Sequence, residues 1–308
     1  MPMRVFMSSG DMIADRRFDF ARDLQVSGDL VAAEDLLLQT IELAPGFASA
    51  WFTIGELRES RGARDGAIEA FRQAQTSDPE DRHGAGLRLT RLGAAAPSPM
   101  PPNYLRALFD QYAPRFEAAL VGDLGYRGPA LLREAVLSVR AAAGLSSRFR
   151  RALDLGCGTG LAARAFAAQV DEIVGLDLSP RMAELARVSG YYCDVIVADL
   201  ALGLTQQSDA RFDLILAADV LIYLHDPAAL FVEAARVLQP GGLLAFTVET
   251  HEGQGIVLTE GLRFAQAAGS LRDQLQQAGL AVELFESASV RHESGVPVAG
   301  LVVVATKG

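Results

Sequence analysis

The chain has 308 residues, half of them apolar and 21% charged, enough for two folded units with at least one sizeable core. A formal charge of −10 and the lack of any Lys/Arg tract argue against nucleic acid as a partner, because phosphate neutralisation supplies most of that affinity. Two distant cysteines, Cys157 and Cys193, and four scattered histidines, His83, His225, His251 and His292, offer neither a disulfide framework nor a metal site recognisable by spacing.

In chain order, residues 1–15 carry Asp11 and Asp15 and no apolar run of roughly 7–15 residues, so no secretory signal is expected there. No stretch of about 18 uncharged apolar residues follows. The expectation is a soluble, cytoplasmic protein with no membrane role.

Residues 16–93 have apolar positions at helical spacing, with Gly and Pro only at intervals. An offset of 34 lays the segment on itself: Ala33 falls on Ala67, Leu37 on Phe71 and Pro45 on Pro79. Trp51, Ile54, Gly55, Ala67, Phe71 and Pro79 resemble tetratricopeptide-repeat positions, with small residues where paired helices approach and bulky ones between them. The first unit is degenerate, with Arg17 and Ala21 in place of Trp51 and Gly55, and residues 82–93 read as a capping helix. Residues 1–93 are thus expected to form a small all-α domain. Its shallow groove would serve a protein partner or self-association, or act as a structural cap. Residues 94–103 hold four prolines in ten positions and read as an extended linker.

From about residue 149, short apolar runs alternate with helical stretches, the pattern of βαβ units and a parallel sheet. A strand over 151–155 runs directly into Gly156-Cys157-Gly158-Thr159-Gly160 and a helix over 161–169. Strands over 173–176 and 195–197 end at Asp177 and Asp199, with a helix over 181–188 between them. A strand over 212–217, a helix over 228–238, a Pro240-Gly241-Gly242 turn and a strand over 243–248 come next. A helix over 271–278 then leads into strands over 281–285 and 298–305, expected to pair antiparallel.

Glycines let backbone approach a ligand closely. Asp177 lies 21 residues after Gly156, where a carboxylate accepts both hydroxyls of a ribose. That pair alone fits NAD, FAD or S-adenosylmethionine. Three details separate them: Leu161 replaces the third glycine of a dinucleotide fingerprint, Asp199 is suited to an adenine amino group, and the chain closes with a Gly-Gly strand, a helix and an antiparallel pair.

LDLGCGTG (153–160), GLDLSP (175–180), VADL (197–200), FDLILAADVLIYL (212–224) and LQPGGLLAFTVE (238–249) together resemble the class I S-adenosylmethionine-dependent methyltransferases, over residues 104–308. The resemblance implies an α/β, Rossmann-like sheet of order 3-2-1-4-5-7-6 with the last strand antiparallel. It also implies that Gly156, Gly158 and Gly160 cradle the methionine portion and that Asp154 positions its amino group through water. Asp177 would take the ribose, Asp199 the adenine N6, and Asp219 would line the methionine end. Cys157, Leu178 and Leu200 complete that stretch of cofactor-binding positions.

A closer resemblance is to the predicted tetratricopeptide-repeat methyltransferases and the Williams–Beuren-region methyltransferase-like proteins. Residues 104–132 look like their lid, which places Tyr104 and Tyr112 over the cofactor, and RHESGVPVAG (291–300) looks like their closing hairpin. Those proteins have a His after R-[YF]-A, where this chain has Arg263-Phe264-Ala265-Gln266.

Tyr223 and His225 follow the fourth strand, and Glu249 and His251 close the fifth, on the side where open α/β sheets present substrate. His225, Tyr223 and His251 are the catalytic candidates. Ala217-Ala218-Asp219-Val220 lacks the (D/N)PP(Y/F) pattern associated with methylation of exocyclic or amide nitrogens. Methyl transfer to a small molecule by in-line displacement is the expectation, leaving S-adenosyl-L-homocysteine as product. The alternatives are a protein side chain recruited through the repeats, or a non-catalytic cofactor-sensing module that binds partners. Leu161 and Asp199 disfavour a nicotinamide-dependent oxidoreductase.

Overall fold

A computed structural model describes residues 5–293 and 295–308. The chain divides into two compact units, one running to Gln111 and the other from Tyr112 to Gly308.

The first unit is helical: α1 (Met12–Ser27), α2 (Leu30–Leu43), α3 (Ala48–Ser60), α4 (Arg64–Ser77), α5 (Ala85–Arg91) and α6 (Pro102–Tyr112), of which the last residue falls in the second unit. Asp11 caps α1 by accepting from the N–H groups of Ile13 and Ala14, and Gly28 ends it in a left-handed conformation. Phe18, Leu37, Phe47 and Ile54 form the core of this unit, with Ala14, Ala33 and Ala50 where helices approach. Gly55 has a specific packing reason, because a Cβ there would lie 2.5 Å from the Phe71 ring. The proline-rich segment is not extended throughout: Pro102 opens α6, where a missing N–H costs nothing. Met100, Tyr104 and Leu108 are buried, and the Gln111 side chain both donates to and accepts from the backbone of Phe6. Residues 104–111 therefore pack with the helices that precede them.

In the second unit, α7 (Gly128–Ala142) precedes the sheet. The sheet comprises β1 (Phe149–Leu155), β2 (Val170–Asp177), β3 (Asp194–Val197), β4 (Phe212–Ala217), β5 (Leu238–His251), β8 (Leu280–Ser287) and β11 (Gly300–Lys307), in the order β3-β2-β1-β4-β5-β11-β8. The first five are parallel and β11 runs antiparallel between β5 and β8. Two short strands lie off this path: β7 (Phe264–Ala267) extends β5 in parallel at Glu249–His251, and β6 (Ile256–Leu258) pairs with β7. The helices are α8 (Leu161–Phe166), α9 (Pro180–Ser189), α10 (Leu200–Thr205), α11 (Ala228–Val237) and α12 (Ala268–Gln277).

Both faces of the sheet are covered, which is why its strands read as continuous apolar runs. Leu153, Val174, Ile215, Phe246 and Val303 face α11 and α12. Ala152, Ile173, Leu214, Ala245 and Val302 face α7 and α8. Burial of both faces leaves the carboxyl ends of the strands as the place for a ligand. Among the described residues no helix is long and apolar enough to cross a membrane.

Candidate active site at the strand ends

The turn from β1 to α8 is built on three left-handed glycines, with φ of 62° at Gly156, 53° at Gly158 and 98° at Gly160. A Cβ on Gly156 would sit 2.5 Å from Val220, so space and backbone both demand glycine there. Thr159 Oγ1 is buried in this loop and has no hydrogen-bond partner among the described residues. A buried polar atom without a partner is costly, and its place in a glycine cradle fits the hydroxyl to a bound polar ligand. Cys157, placed with the cofactor residues from sequence, turns its side chain elsewhere. Its thiol packs with Ala183, Ala186 and Val195, and burial pushes the thiol's pKa well up. Burial favours the neutral thiol, and the packing explains the residue as a small core side chain.

Asp154, at the end of β1, is buried and accepts a hydrogen bond of 2.7 Å from the Tyr192 hydroxyl. Burial pushes this carboxyl up to about 7, against the opposing pull of the Tyr192 bond. The Tyr192 ring crowds two glycines: a Cβ would come within 3.2 Å of it on Gly160, beside Ser189, and within 3.0 Å on Gly175, beside the Cys157 sulfur. No spacing or motif in the sequence marks Tyr192. Asp177 ends β2 with one carboxylate oxygen accepting from the Gly158 N–H and the other from the Ser179 N–H, each at 2.8 Å. Half-buried Leu178 follows it. Asp199 caps α10 through the Ala201 N–H at 2.9 Å, and Leu200 packs against the sheet core.

Of the two tyrosines expected over the cofactor, Tyr104 lies in the helical unit, where it packs on Gly84. Tyr112 is in the sheet unit, edge-on to Phe116 with ring centroids 5.9 Å apart. Phe116 is the residue that reaches the glycine loop, 3.7 Å from where a Gly158 Cβ would stand. Sequence reading missed Phe116.

The ends of β4 and β5 carry a cluster of charges. Asp219 adopts a left-handed φ of 62°, uncommon for a non-glycine residue. Its carboxylate accepts two bonds from Arg291 Nη1, at 2.6 and 2.7 Å, and its N–H donates to Thr247 Oγ1 at 2.8 Å. Arg291 is fully buried and also bonds Glu249, with Glu293 at 3.3 Å. Arg263 pairs directly with Glu293 and stands 3.8 Å from Glu249. Burial raises the Glu249 carboxyl despite both arginines. For Glu293 burial acts in the same direction, but Arg263 and Arg291 outweigh it and hold the carboxyl below its ordinary value.

Tyr223 adjoins this cluster, and burial raises its phenol. His225 stacks edge-on against Phe264, with ring centroids 5.3 Å apart. His251 is occupied within its own turn: Nδ1 accepts from the Gly253 N–H at 3.0 Å, and Nε2 lies 3.2 Å from the Gly255 carbonyl. With Nδ1 accepting, the proton sits on Nε2, and neither nitrogen is left to act as a base. Arg263, Arg291 and Glu293 were visible in the sequence only as parts of longer motifs, with nothing to indicate that they pair.

Comparison with known proteins agrees with this geometry. A family profile described as a methyltransferase domain matches residues 153–246. A ubiquinone biosynthesis O-methyltransferase of Alkalilimnicola ehrlichii is 34% identical over 101 residues, covering 32% of this chain and 41% of that one. One from Xylella fastidiosa is 36% identical over 98 residues, 30% of this chain and 39% of that one. The chain thus spans about two fifths of the length of these curated relatives. Among solved structures, the Burkholderia thailandensis 1,6-didemethyltoxoflavin-N1-methyltransferase, with 1,6-didemethyltoxoflavin and S-adenosylhomocysteine bound, shares the fold. Its TM-score is 0.51 at 22% identity, covering 69% of this chain and 92% of that one. Residues 153–246, which hold the glycine loop and the acids closing β1, β2 and β3, thus match a methyltransferase domain, and the sheet that carries them has the fold of that solved methyltransferase.

Proposed function

We propose that the chain transfers the methyl group of S-adenosylmethionine to an oxygen of a small-molecule acceptor by in-line displacement. The observation that carries this reading is the glycine cradle with its orphaned Thr159 hydroxyl, flanked by buried Asp154 and by Asp177. In this reading Gly156, Gly158, Thr159 and Gly160 hold the methionine portion and Asp154 its amino group. Asp177 takes the ribose, Asp199 the adenine and Asp219 lines the methionine end. Bound there, the cofactor supplies a methyl already activated by its sulfonium. What remains for the chain is alignment and exclusion of water, the source of most of the acceleration in such a displacement. Phe116 and Tyr112 close the loop side. Tyr223, kept protonated by burial, donates a hydrogen bond to the acceptor, and His225 takes the proton of a hydroxyl acceptor. The acceptor oxygen and its small-molecule nature follow the names of the curated relatives.

The first helices we read as two tetratricopeptide-like units, the first of them degenerate, that carry a protein partner or a second copy. The Gly55–Phe71 contact and buried Ala33 and Ala67 support that assignment.

Calorimetric titration with S-adenosylmethionine and S-adenosylhomocysteine, with NADH as control, tests the cofactor site. Micromolar binding of both sulfur ligands and none of NADH is expected, followed by tritiated-methyl transfer to small phenols. Folded protein that binds neither sulfur ligand refutes the proposal.

A further inference from the structure

At the ends of β4 and β5, three carboxylates (Asp219, Glu249, Glu293) face two guanidinium groups (Arg263, Arg291). The carboxylates are not equivalent. Asp219 and Glu249 belong to the sheet ends, and their side chains are only 12% and 7% exposed. Glu293 is 40% exposed and lies on β9 (His292–Glu293), which among the described residues pairs with β10 (Val296–Pro297) as a two-stranded sheet outside the main one, held to its surroundings by the His292 N–H bond to the Leu124 carbonyl.

The arginines differ in the same way. Arg291 grips Asp219 with two bonds and also bonds Glu249, so carboxylates on the sheet ends compensate its charge. Arg263, 16% exposed, meets Glu293 directly and Glu249 only at 3.8 Å. Its close carboxylate is therefore the one on the hairpin. A buried cation is stable only with an anion beside it, and a hairpin of two short strands is among the least stable kinds of local structure.

We propose that the methyl acceptor carries a single carboxylate, which takes the place of Glu293 between Arg263 and Arg291. The proposal rests on the methyltransferase reading above and names the class of its acceptor. Exchange of one carboxylate for another keeps the charge balance of the cluster, whereas a phosphate dianion would add a negative charge that no guanidinium compensates. Arginine's planar fork suits a carboxylate, and the displaced Glu293 turns into water, where its charge is solvated. Because Arg291 also holds Asp219, an acceptor anchored here is directed toward the methionine end of the cofactor site.

The test uses benzoate, titrated calorimetrically into full-length protein saturated with S-adenosylhomocysteine. Glu293→Gln removes the internal competitor and is expected to tighten benzoate about tenfold, the equivalent of one lost ion-pair competition. Adding Arg263→Gln to that variant is expected to abolish the gain, and neutral benzamide should show none. Equal benzoate affinity in wild type and Glu293→Gln overturns the proposal. A gain that survives in the double variant, or that benzamide shares, overturns it too, and a larger gain for phenyl phosphate overturns the carboxylate assignment. Binding of S-adenosylhomocysteine, titrated beforehand into ligand-free wild type and each variant, reports folding of each protein. Its retention alongside unchanged benzoate binding sinks this proposal alone, while its absence from folded wild type sinks the methyltransferase reading.

Discussion

Replacing Tyr192 with phenylalanine removes a single hydroxyl from beneath the glycine loop and leaves the ring that packs on Gly160 and Gly175. That hydroxyl donates to Asp154 at 2.7 Å, opposing the burial that pushes the carboxyl up to about 7. A hydrogen bond to a charged group contributes about 1.5–3 kcal/mol. At 1.36 kcal/mol per pKa unit, its loss lifts Asp154 by about one to two units. At pH 7 the ionised fraction then drops from about one half to between about 1 and 10%. In the proposed placement the ionised carboxylate faces the cofactor's amino group, so S-adenosylmethionine should bind about five- to fiftyfold more weakly at pH 7. The sign is fixed: affinity rises as pH passes upward through the Asp154 value, and the variant's midpoint lies higher. Calorimetry from pH 6 to 9 reads both curves, and titration of the ligand's own amino group cancels between the two proteins. A variant with the wild-type pH profile, or with an undiminished loss at pH 9, would refute the electrostatic argument and leave Tyr192 as packing alone.

Three further outcomes follow from the same structure. Asp154→Asn should bind S-adenosylhomocysteine poorly yet unfold in urea with up to about 4 kcal/mol more stability at pH 8. The raised folded-state value makes the native carboxyl lose stability as pH rises from about 4 to 7, so little gain should appear at pH 4. Gly156→Ala should cost about 2–4 kcal/mol, from a left-handed φ and a Cβ 2.5 Å from Val220. Adding Val220→Ala should recover the packing part of that loss, again read by urea unfolding. His83, buried and held at about 4 by desolvation, bonds Ser49 at 2.9 Å. Because that folded-state value lies below the unfolded one, the helical unit should lose up to about 3 kcal/mol as pH falls from about 6.5 to 4. His83→Gln should flatten that dependence, and an unchanged slope would show that other groups drive it.

The glycine loop and the acids at the strand ends were legible because their determinants are local. A glycine loop between a strand and a helix, and an acid closing the next strand, lie within one βαβ unit, where chain order and proximity in space nearly coincide. The helical pairing was legible for a similar reason, since helical periodicity and the Gly55–Phe71 match both concern adjacent elements. Cys157 shows where residue type stops being informative: the loop's path, not its composition, turned that side chain into the packing under the sheet. The four-residue β7 and three-residue β6 were too short for periodicity to register.

Long-range ion pairing was not legible at all. Arg291 meets Asp219 across 72 residues and Glu249 across 42, and a charged side chain carries no periodic signal naming its partner. The sequence alone determined the sheet, its glycine loop and the acids that close its first strands, because backbone conformation and apolar alternation are written over short spans. Only the tertiary structure decided which charges cluster at the ends of β4 and β5 and which tyrosine supports Asp154. Those contacts exist only once crossover connections bring the strand ends and the closing hairpin together.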